Sequence, residues 1–457
     1  MRFLATRGWC SVASKRSYKI RLELANLRAS SSISDSVTDP SHCLSPMITA
    51  DILDLAYQWL CQQRRDAHHN HDIWHLRWNW NGVRTKLLGQ LAAGTYRLSP
   101  TRMVTIDGDC FEVWSSRDSL VLKAVSIVLS RQWNGLLSHR CFHLVGRGGA
   151  KAALREVMNQ MHHTDDHAQA NDREINGSQT ITTSRPARAA SNVNFITKFP
   201  PPSFVFKSDV KSYYASMNHD ILIGQLTQLI DDPLLLDLVC QYVRRTVVTD
   251  GIYTDVQQGI PLGCSLSPLM AAVYLKPLDE AMEKTGLFYA RFMDDWVVLA
   301  PTRWKLRKVV RITNRVLHRL RVDKHPDKTF VGRVVRGLEF LGYHLKPSLQ
   351  TEKADAQATA EDATALPTNI SPQVDTTQPV GMTVQLRMAK KTRQRFVSRV
   401  TRLYEQGSIH QKMIEGYVRR WKQWATGGLG EFAKQLILDD DVDGYLQSLR
   451  CRVSPSR

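Results

Sequence analysis

No stretch of eighteen or more apolar residues occurs in the 457-residue sequence, which excludes a membrane-spanning helix. Cysteine is sparse: eight are scattered at positions 10, 43, 61, 110, 141, 240, 264 and 451, with no pair at zinc spacing and no dense framework of the secreted kind. They read as reduced thiols, and the expected compartment is the cytoplasm, with no membrane partner. No internal repeat is found. Acidic residues are scarce beside basic ones, 43 against 61, and the resulting net charge of +18 points to a polyanionic partner such as nucleic acid and away from a neutral-metabolite enzyme. The length is enough for two or three packed units.

Along the chain, residues 1–48 are basic and Ser-rich, only weakly like an organelle presequence and more like a disordered basic tail or the product of a mis-called start codon. From Thr49 apolar residues recur at helical spacing (Ile52, Leu53, Ala56, Leu60), opening a region that runs to residue 159. Residues 160–203 break that periodicity and end in Pro200-Pro201-Pro202, the pattern of a loop or insertion. A central region, 204–347, is followed by a linker-like stretch, 348–381, rich in Ala, Thr, Asp and Pro. A basic helical region, 382–428, and a tail, 429–457, complete the chain.

Acidic residues at two places carry the chemistry. Phe204-Val205-Phe206-Lys207-Ser208 alternates β-formers with polar residues and delivers Asp209 at the strand's end, before Tyr213-Tyr214 and a helix from about Asn218. Leu287–Phe292 and Trp296–Ala300 are β-rich runs separated only by Met293-Asp294-Asp295, so a hairpin with two acids at its tip is expected. Adjacent acids between half-buried strands repel each other and need a cation. Mg²⁺ takes hard oxygen ligands, and two such ions about 3.5–4 Å apart can activate an attacking hydroxyl and stabilise a departing pyrophosphate. Asp209, Asp294 and Asp295 are the candidate ligands, with the Val210 carbonyl as an extra one and Mn²⁺ as a possible substitute.

Several motifs in order make the sequence resemble a reverse transcriptase of the bacterial group II intron and retron type. Asp209 with Tyr214 resembles the first palm motif, and Pro261-Leu262-Gly263-Cys264-Ser265-Leu266-Ser267-Pro268 the Pro-Gln-Gly-x-x-x-Ser-Pro motif. Phe292-Met293-Asp294-Asp295 stands in place of the Tyr-Ala-Asp-Asp turn. His325-Pro326-Asp327-Lys328-Thr329 and Gly337-Leu338-Glu339-Phe340-Leu341-Gly342-Tyr343 resemble the lysine-bearing and primer-grip segments, so the resemblance runs from about Trp74 to Gly428. Leu262 departs from the family's glutamine and removes a polar contact near the nucleotide; Gln258-Gly259 offers a glutamine, but at the wrong spacing from Ser-Pro. Met293 in place of alanine is expected to alter only packing.

The resemblance implies an α+β right-hand polymerase: an antiparallel palm sheet backed by helices, helical fingers before it and a small helical thumb after it. It implies RNA-directed DNA synthesis from a DNA or RNA primer on an RNA template with deoxynucleotides. Tyr214 would exclude a 2′-hydroxyl or be an ordinary core aromatic; Gly263 would let a base or nucleotide approach or simply start a helix. Lys328 would protonate pyrophosphate or only neutralise charge. Arg117 or Lys123, in the fingers-like Trp114–Ala124 segment, would clamp the triphosphate. Residues 303–336 carry twelve Lys or Arg against Asp323 and Asp327, and residues 387–424 carry eleven against Glu405 and Glu415, excesses that suit a duplex backbone. Ile414, Tyr417, Trp421 and Trp424 share one helix face, as core or as a stacking platform. Nothing after Trp424 resembles a zinc-bearing endonuclease, so a retron-like or antiviral-defence role with a cognate structured RNA is the analogy; an RNA-dependent RNA polymerase and a non-catalytic RNA-binding maturase are the rivals.

Overall fold

The computed structural model describes residues 48–106, 109–161, 202–349, 382–405 and 411–437. Expectations for residues 1–47, 162–201, 350–381 and 438–457 lie outside the described residues. The strands are β1 (Thr101–Ile106), β2 (Asp109–Val113), β3 (Phe204–Ser208), β4 (Thr246–Thr249), β5 (Ile252–Asp255), β6 (Phe288–Phe292), β7 (Asp295–Ala300), β8 (Phe330–Arg333), β9 (Leu338–Phe340), β10 (Tyr343–Leu349), β11 (Met382–Met388) and β12 (Leu436–Ile437). They form three four-stranded sheets, so the fold is mixed α+β. No helix among the described residues is long and apolar enough to cross a membrane.

Two compact units interleave along the chain. The first takes its described residues from Met1–Gly146, Asp209–Ala281 and Ile312–His325. Its sheet runs β2-β1-β4-β5, with β1 parallel to β4 through Thr101↔Val247. A strand pair stands within the region 49–159, for which helical fingers were expected: Met103-Val104-Thr105-Ile106 is rich in β-formers, and Thr105 pairs with Cys110. The central helix of this unit, Ser116–Gln132, is capped by Ser115, whose hydroxyl accepts from the Asp118 N–H, and its Leu120, Val121, Leu122, Ala124 and Val125 are fully buried.

The second unit takes its described residues from Arg147–Ser208, Met282–Arg311 and Pro326–Arg457. One of its sheets, β6-β7-β3-β8, is antiparallel throughout, whereas β4 and β5, also within the expected central region 204–347, belong to the sheet of the first unit. Strand β7 is buried from Trp296 to Ala300, and Phe206 meets Trp296 edge-on at 6.4 Å, a geometry that adds about 1 kcal/mol to the area both rings bury. The other sheet, β12-β11-β10-β9, contains Met382–Met388 as a strand, so residues 382–428 are not all helical, and β12 continues ordered structure past residue 429. Further along the chain, Phe396 of helix Lys390–Glu405 stacks on Trp421 of helix Gln411–Thr426 at 4.0 Å, with Ile414, Val400 and Tyr417 completing the cluster. Three of the four residues on the expected face are thereby core; Trp424 is half exposed and sits 6.4 Å from Tyr343 instead.

Candidate active site

The acids lie where strand chemistry ends. In the β3–β7 ladder the last pair is Ser208↔Trp296, and the next residue along each chain is Asp209 on one side and Asp295 on the other. Ser208 is fully buried, and its hydroxyl shares a hydrogen bond with the Thr329 hydroxyl at 2.8 Å, fastening β3 one residue before the acid. Asp209 is 5% exposed, and its carbonyl accepts from the His325 N–H at 2.7 Å while the Lys211 N–H donates to Asp323 O at 2.9 Å. Those two bonds flank an antiparallel bridge between Val210 and Lys324, so the Val210 carbonyl is turned away from that strand.

At the hairpin the structure corrects the expected boundary. Phe292 pairs with Asp295, so Asp295 is the first residue of β7 and only Met293 and Asp294 form the turn. Met293 therefore has φ +58°, a region that any non-glycine residue occupies at a cost of about 1–3 kcal/mol. Arg291, fully buried, donates to the Met293 carbonyl at 2.8 Å and braces the turn. A cation also stands beside the acids: Lys207 Nζ lies 3.8 Å from Asp295 Oδ1, both side chains largely buried. Sequence reasoning missed Lys207 and Arg291, because cross-strand register and side-chain reach are not written in the local pattern.

In the first unit, Tyr214 adjoins a second cluster that the sequence passed over. Tyr214 is half buried and meets Tyr213 edge-on at 5.8 Å, and the Tyr213 hydroxyl donates to Ala271 O at 2.6 Å. Behind the Tyr214–Met217 backbone runs the loop Gln258–Ile260. Gly259 N–H donates to Met217 O at 2.8 Å, Ile260 N–H to Tyr214 O at 2.9 Å, and the Gln258 amide to Ser216 O at 2.9 Å. Gly259 has φ +84°, and a Cβ there would stand 2.9 Å from Ala215 Cα and Tyr214 O, so no other residue fits. Its carbonyl accepts from Arg245 Nη1 at 2.9 Å and from His219 Nε2 at 2.8 Å, which fixes the proton on that imidazole nitrogen. Burial lowers the His219 pKa, against the hydrogen bond to Gly259, and the Arg245 guanidinium forks onto both Glu112 oxygens. Gln258-Gly259, set aside on spacing, is thus the support of the Tyr214 turn.

The remaining candidates divide. Gly263 is exposed at φ +88°, with open space where a Cβ would be, and Leu262 beside it is 52% exposed. Lys328 is exposed on the 3₁₀ turn Pro326–Lys328. Arg117 is exposed in the first turn of helix Ser116–Gln132. Lys123 is instead packed over the Trp59 ring at 4.9 Å, and burial lowers its pKa.

Among the described residues no group of three or more His, Cys, Asp or Glu side chains is assembled as a metal cage. The donor chemistry nevertheless suits Mg²⁺: all three candidate side chains are hard carboxylates, and Mg²⁺ commonly takes one or two of these with substrate phosphates and water completing the shell.

Residues 151–345, the segment that holds these strands, turns and acids, match the family model described as reverse transcriptase (RNA-dependent DNA polymerase). The matched segment includes Asp209, Val210, Tyr214, Gly263, Asp294, Asp295 and Lys328 and excludes Arg117 and Lys123. Among curated proteins the chain is similar to the group II intron-encoded protein LtrA of Lactococcus lactis subsp. cremoris, 25% identical over 27% of this chain and 20% of the relative. It is also similar to protein YkfC of Escherichia coli, 21% identical over 31% of this chain and 46% of the relative. A third is an uncharacterised 91 kDa protein in the cob intron of Schizosaccharomyces pombe, 30% identical over 22% of this chain and 12% of the relative. The matches thus span less than half the length of each of these relatives.

Proposed function

We propose that this chain is an RNA-directed DNA polymerase that adds deoxynucleotides to a primer 3′-hydroxyl on an RNA template, with Asp209, Asp294 and Asp295 as the acids of the reaction. The observation that carries this reading is the β3–β7 register, which ends at Ser208↔Trp296 with an acid next on each strand. Two Mg²⁺ ions, or Mn²⁺ in their place, would lower the pKa of the primer hydroxyl and neutralise charge developing on pyrophosphate. The chain's own residues do the rest. Asp209, Asp294 and Asp295 would hold the ions, with the Val210 carbonyl as a further oxygen.

Tyr214, held against Gln258–Ile260, presents its ring to the sugar and excludes a 2′-hydroxyl. Gly263 leaves room for the base of the incoming nucleotide. The triphosphate falls to Arg117, which is exposed, before Lys123, which is occupied by Trp59, and Lys328 is the proton donor to pyrophosphate. In right-hand terms the sheet β6-β7-β3-β8 is the palm, and the helices Lys390–Glu405 and Gln411–Thr426 are the thumb. Lys391, Arg395, Arg399 and Arg402, on one side of the first thumb helix, take the backbone of the primer–template hybrid by shape and charge.

The deciding assay is extension of oligo(dT) on poly(rA), comparing the wild type with Asp209→Ala and deoxy- with ribonucleotides. Equal extension by the variant sinks the catalytic reading, and equal use of ribonucleotides sinks the gate.

A further inference from the structure

The helix Arg303–Arg319 has a charge pattern that the polymerase reaction leaves unused. Arg303, Arg307, Arg311, Arg315 and Arg319 recur every fourth residue and are all exposed, with Lys305 and Lys308 beside them. The helix contains no acid, and among the described residues none of these seven cations pairs with a carboxylate. Like charges four apart on a helix repel. The other face is packed: Leu306, Val309, Thr313, Val316, Leu317 and Leu320 are all at most 4% exposed. At the N-terminal end Trp304 is 76% exposed with the Arg307 guanidinium 5.3 Å from its ring. Asp295 begins β7 and the helix begins just after β7 ends, so Arg303 starts at the end of the strand remote from the acids, about 17 Å along it.

We propose that this arginine ridge and Trp304 form a second RNA-binding face, which takes the phosphate backbone of an RNA stem distinct from the primer–template hybrid and stacks an unpaired base of that stem on Trp304. The chemistry fits on three counts. A row of cations at steps of about 6 Å along 24 Å of helix meets a continuous polyanion better than any small anion. An exposed indole backed by a guanidinium is a stacking platform for a base, and unpaired bases are where RNA is read. An anionic membrane surface, the other partner of a basic amphipathic helix, requires the apolar face to insert, and here that face is buried in the protein.

The test uses the full chain and an RNA stem-loop with one bulged base and a blocked 3′ end, titrated at low salt without nucleotides. The wild type is expected to bind two RNAs per chain. The variant Arg307→Gln/Arg311→Gln/Arg315→Gln is expected to bind one, with a salt slope reduced by about one for each arginine removed, while extending oligo(dT) on poly(rA) within about twofold of the wild type. Trp304→Ala, at an exposed position that leaves the core untouched, is expected to weaken the second site about tenfold for the bulged stem and not for a fully paired one. One RNA per wild-type chain, two per ridge variant, extension lost in step with binding, or equal binding of duplex DNA or of phosphatidylserine vesicles would each overturn the proposal. Two RNAs per wild-type chain with no extension would end the polymerase reading and leave this one standing.

Discussion

The acid pair Asp294-Asp295 and the helix Arg303–Arg319 lie a few residues apart in sequence and pose the same electrostatic problem, like charges in series, yet they solve it in opposite ways. At the acids the protein supplies its own counter-charge, since Lys207 reaches Asp295 from the neighbouring strand, while Arg291 braces the Met293 carbonyl. Along the helix no carboxylate among the described residues answers the arginines. Compensation from within fixes geometry, because a half-buried acid without a partner would relax or protonate. Repulsion left standing on a solvated face instead raises the affinity for whatever polyanion relieves it. Under the proposed function, the difference separates groups held for chemistry from groups held for binding.

The comparison breaks first at the acids. Asp294→Asn keeps the shape of the turn and removes one charge, so extension should fall on the order of 10³-fold while thermal unfolding in the absence of metal barely moves. Retained extension would place Asp294 with the binding charges and dissolve the contrast. Next in size is Arg245→Ala, which strips Glu112 of its partner and Gly259 of a donor. Removing one member of so buried a pair costs about 3 kcal/mol, and the loosened Tyr214 turn should admit ribonucleotides more readily. Arg245→Lys cannot fork onto Glu112 and reach Gly259 together, so it should recover stability more than discrimination. If discrimination is untouched in both variants, Gly259 supports the fold and not the gate.

Lys207→Met sharpens the same contrast by removing the internal counter-charge. The pair is 3.8 Å apart and partly solvated, so the expected loss of stability is only about 1 kcal/mol without metal. The sign of the second effect is more telling. With one positive charge gone the acids attract divalent ions more strongly, so the Mg²⁺ concentration at half-maximal thermal stabilisation should fall. A rise would mean that Lys207 helps to hold the metal-binding geometry and does not merely balance charge.

Much of this was legible in the residues themselves. Alternation in Phe204–Ser208 announces β3 with an acid after it, and the β-branched run before Ala300 announces β7. The hairpin boundary was not legible, because Asp295 joins the strand through its pairing with Phe292, and nothing in Phe-Met-Asp-Asp-Trp distinguishes turn from strand. Gly259 was misjudged for a related reason: counting from Ser-Pro gives a position along the chain, whereas its constraint is the nearness of Ala215 across the loop. Strands β1 and β2 escaped notice beside the stronger helical periodicity before and after them. Lys207 looked like an ordinary polar residue of an alternating strand until register placed it near Asp295.

Lys151 is a third way of holding charge, and it gives the smallest effect. Its ammonium donates to the Tyr343 hydroxyl and to Ala425 O, the latter at 2.9 Å, and lies 4.4 Å and 4.9 Å from the Tyr343 and Trp424 rings, so carbonyl, hydroxyl and π-faces stand in for a carboxylate. Burial pulls its pKa down to about 8 and pushes Tyr343 up to about 12. For the lysine the folded chain binds fewer protons than the unfolded one between pH 8 and the ordinary value of 10.5, so stability rises with pH across that window. For the tyrosine the folded chain keeps a proton that the unfolded chain loses above pH 10, so stability falls from there towards pH 12. Thermal midpoints of the full chain should therefore climb from pH 8 and turn over near pH 10. Lys151→Met should flatten the climb and keep the fall, because the same rings then close over a methyl group that burial does not penalise. A climb that survives in Lys151→Met would mean that the ammonium is no worse off beside the rings and carbonyl than in water, and that neutral partners compensate charge here as fully as Lys207 does for Asp295.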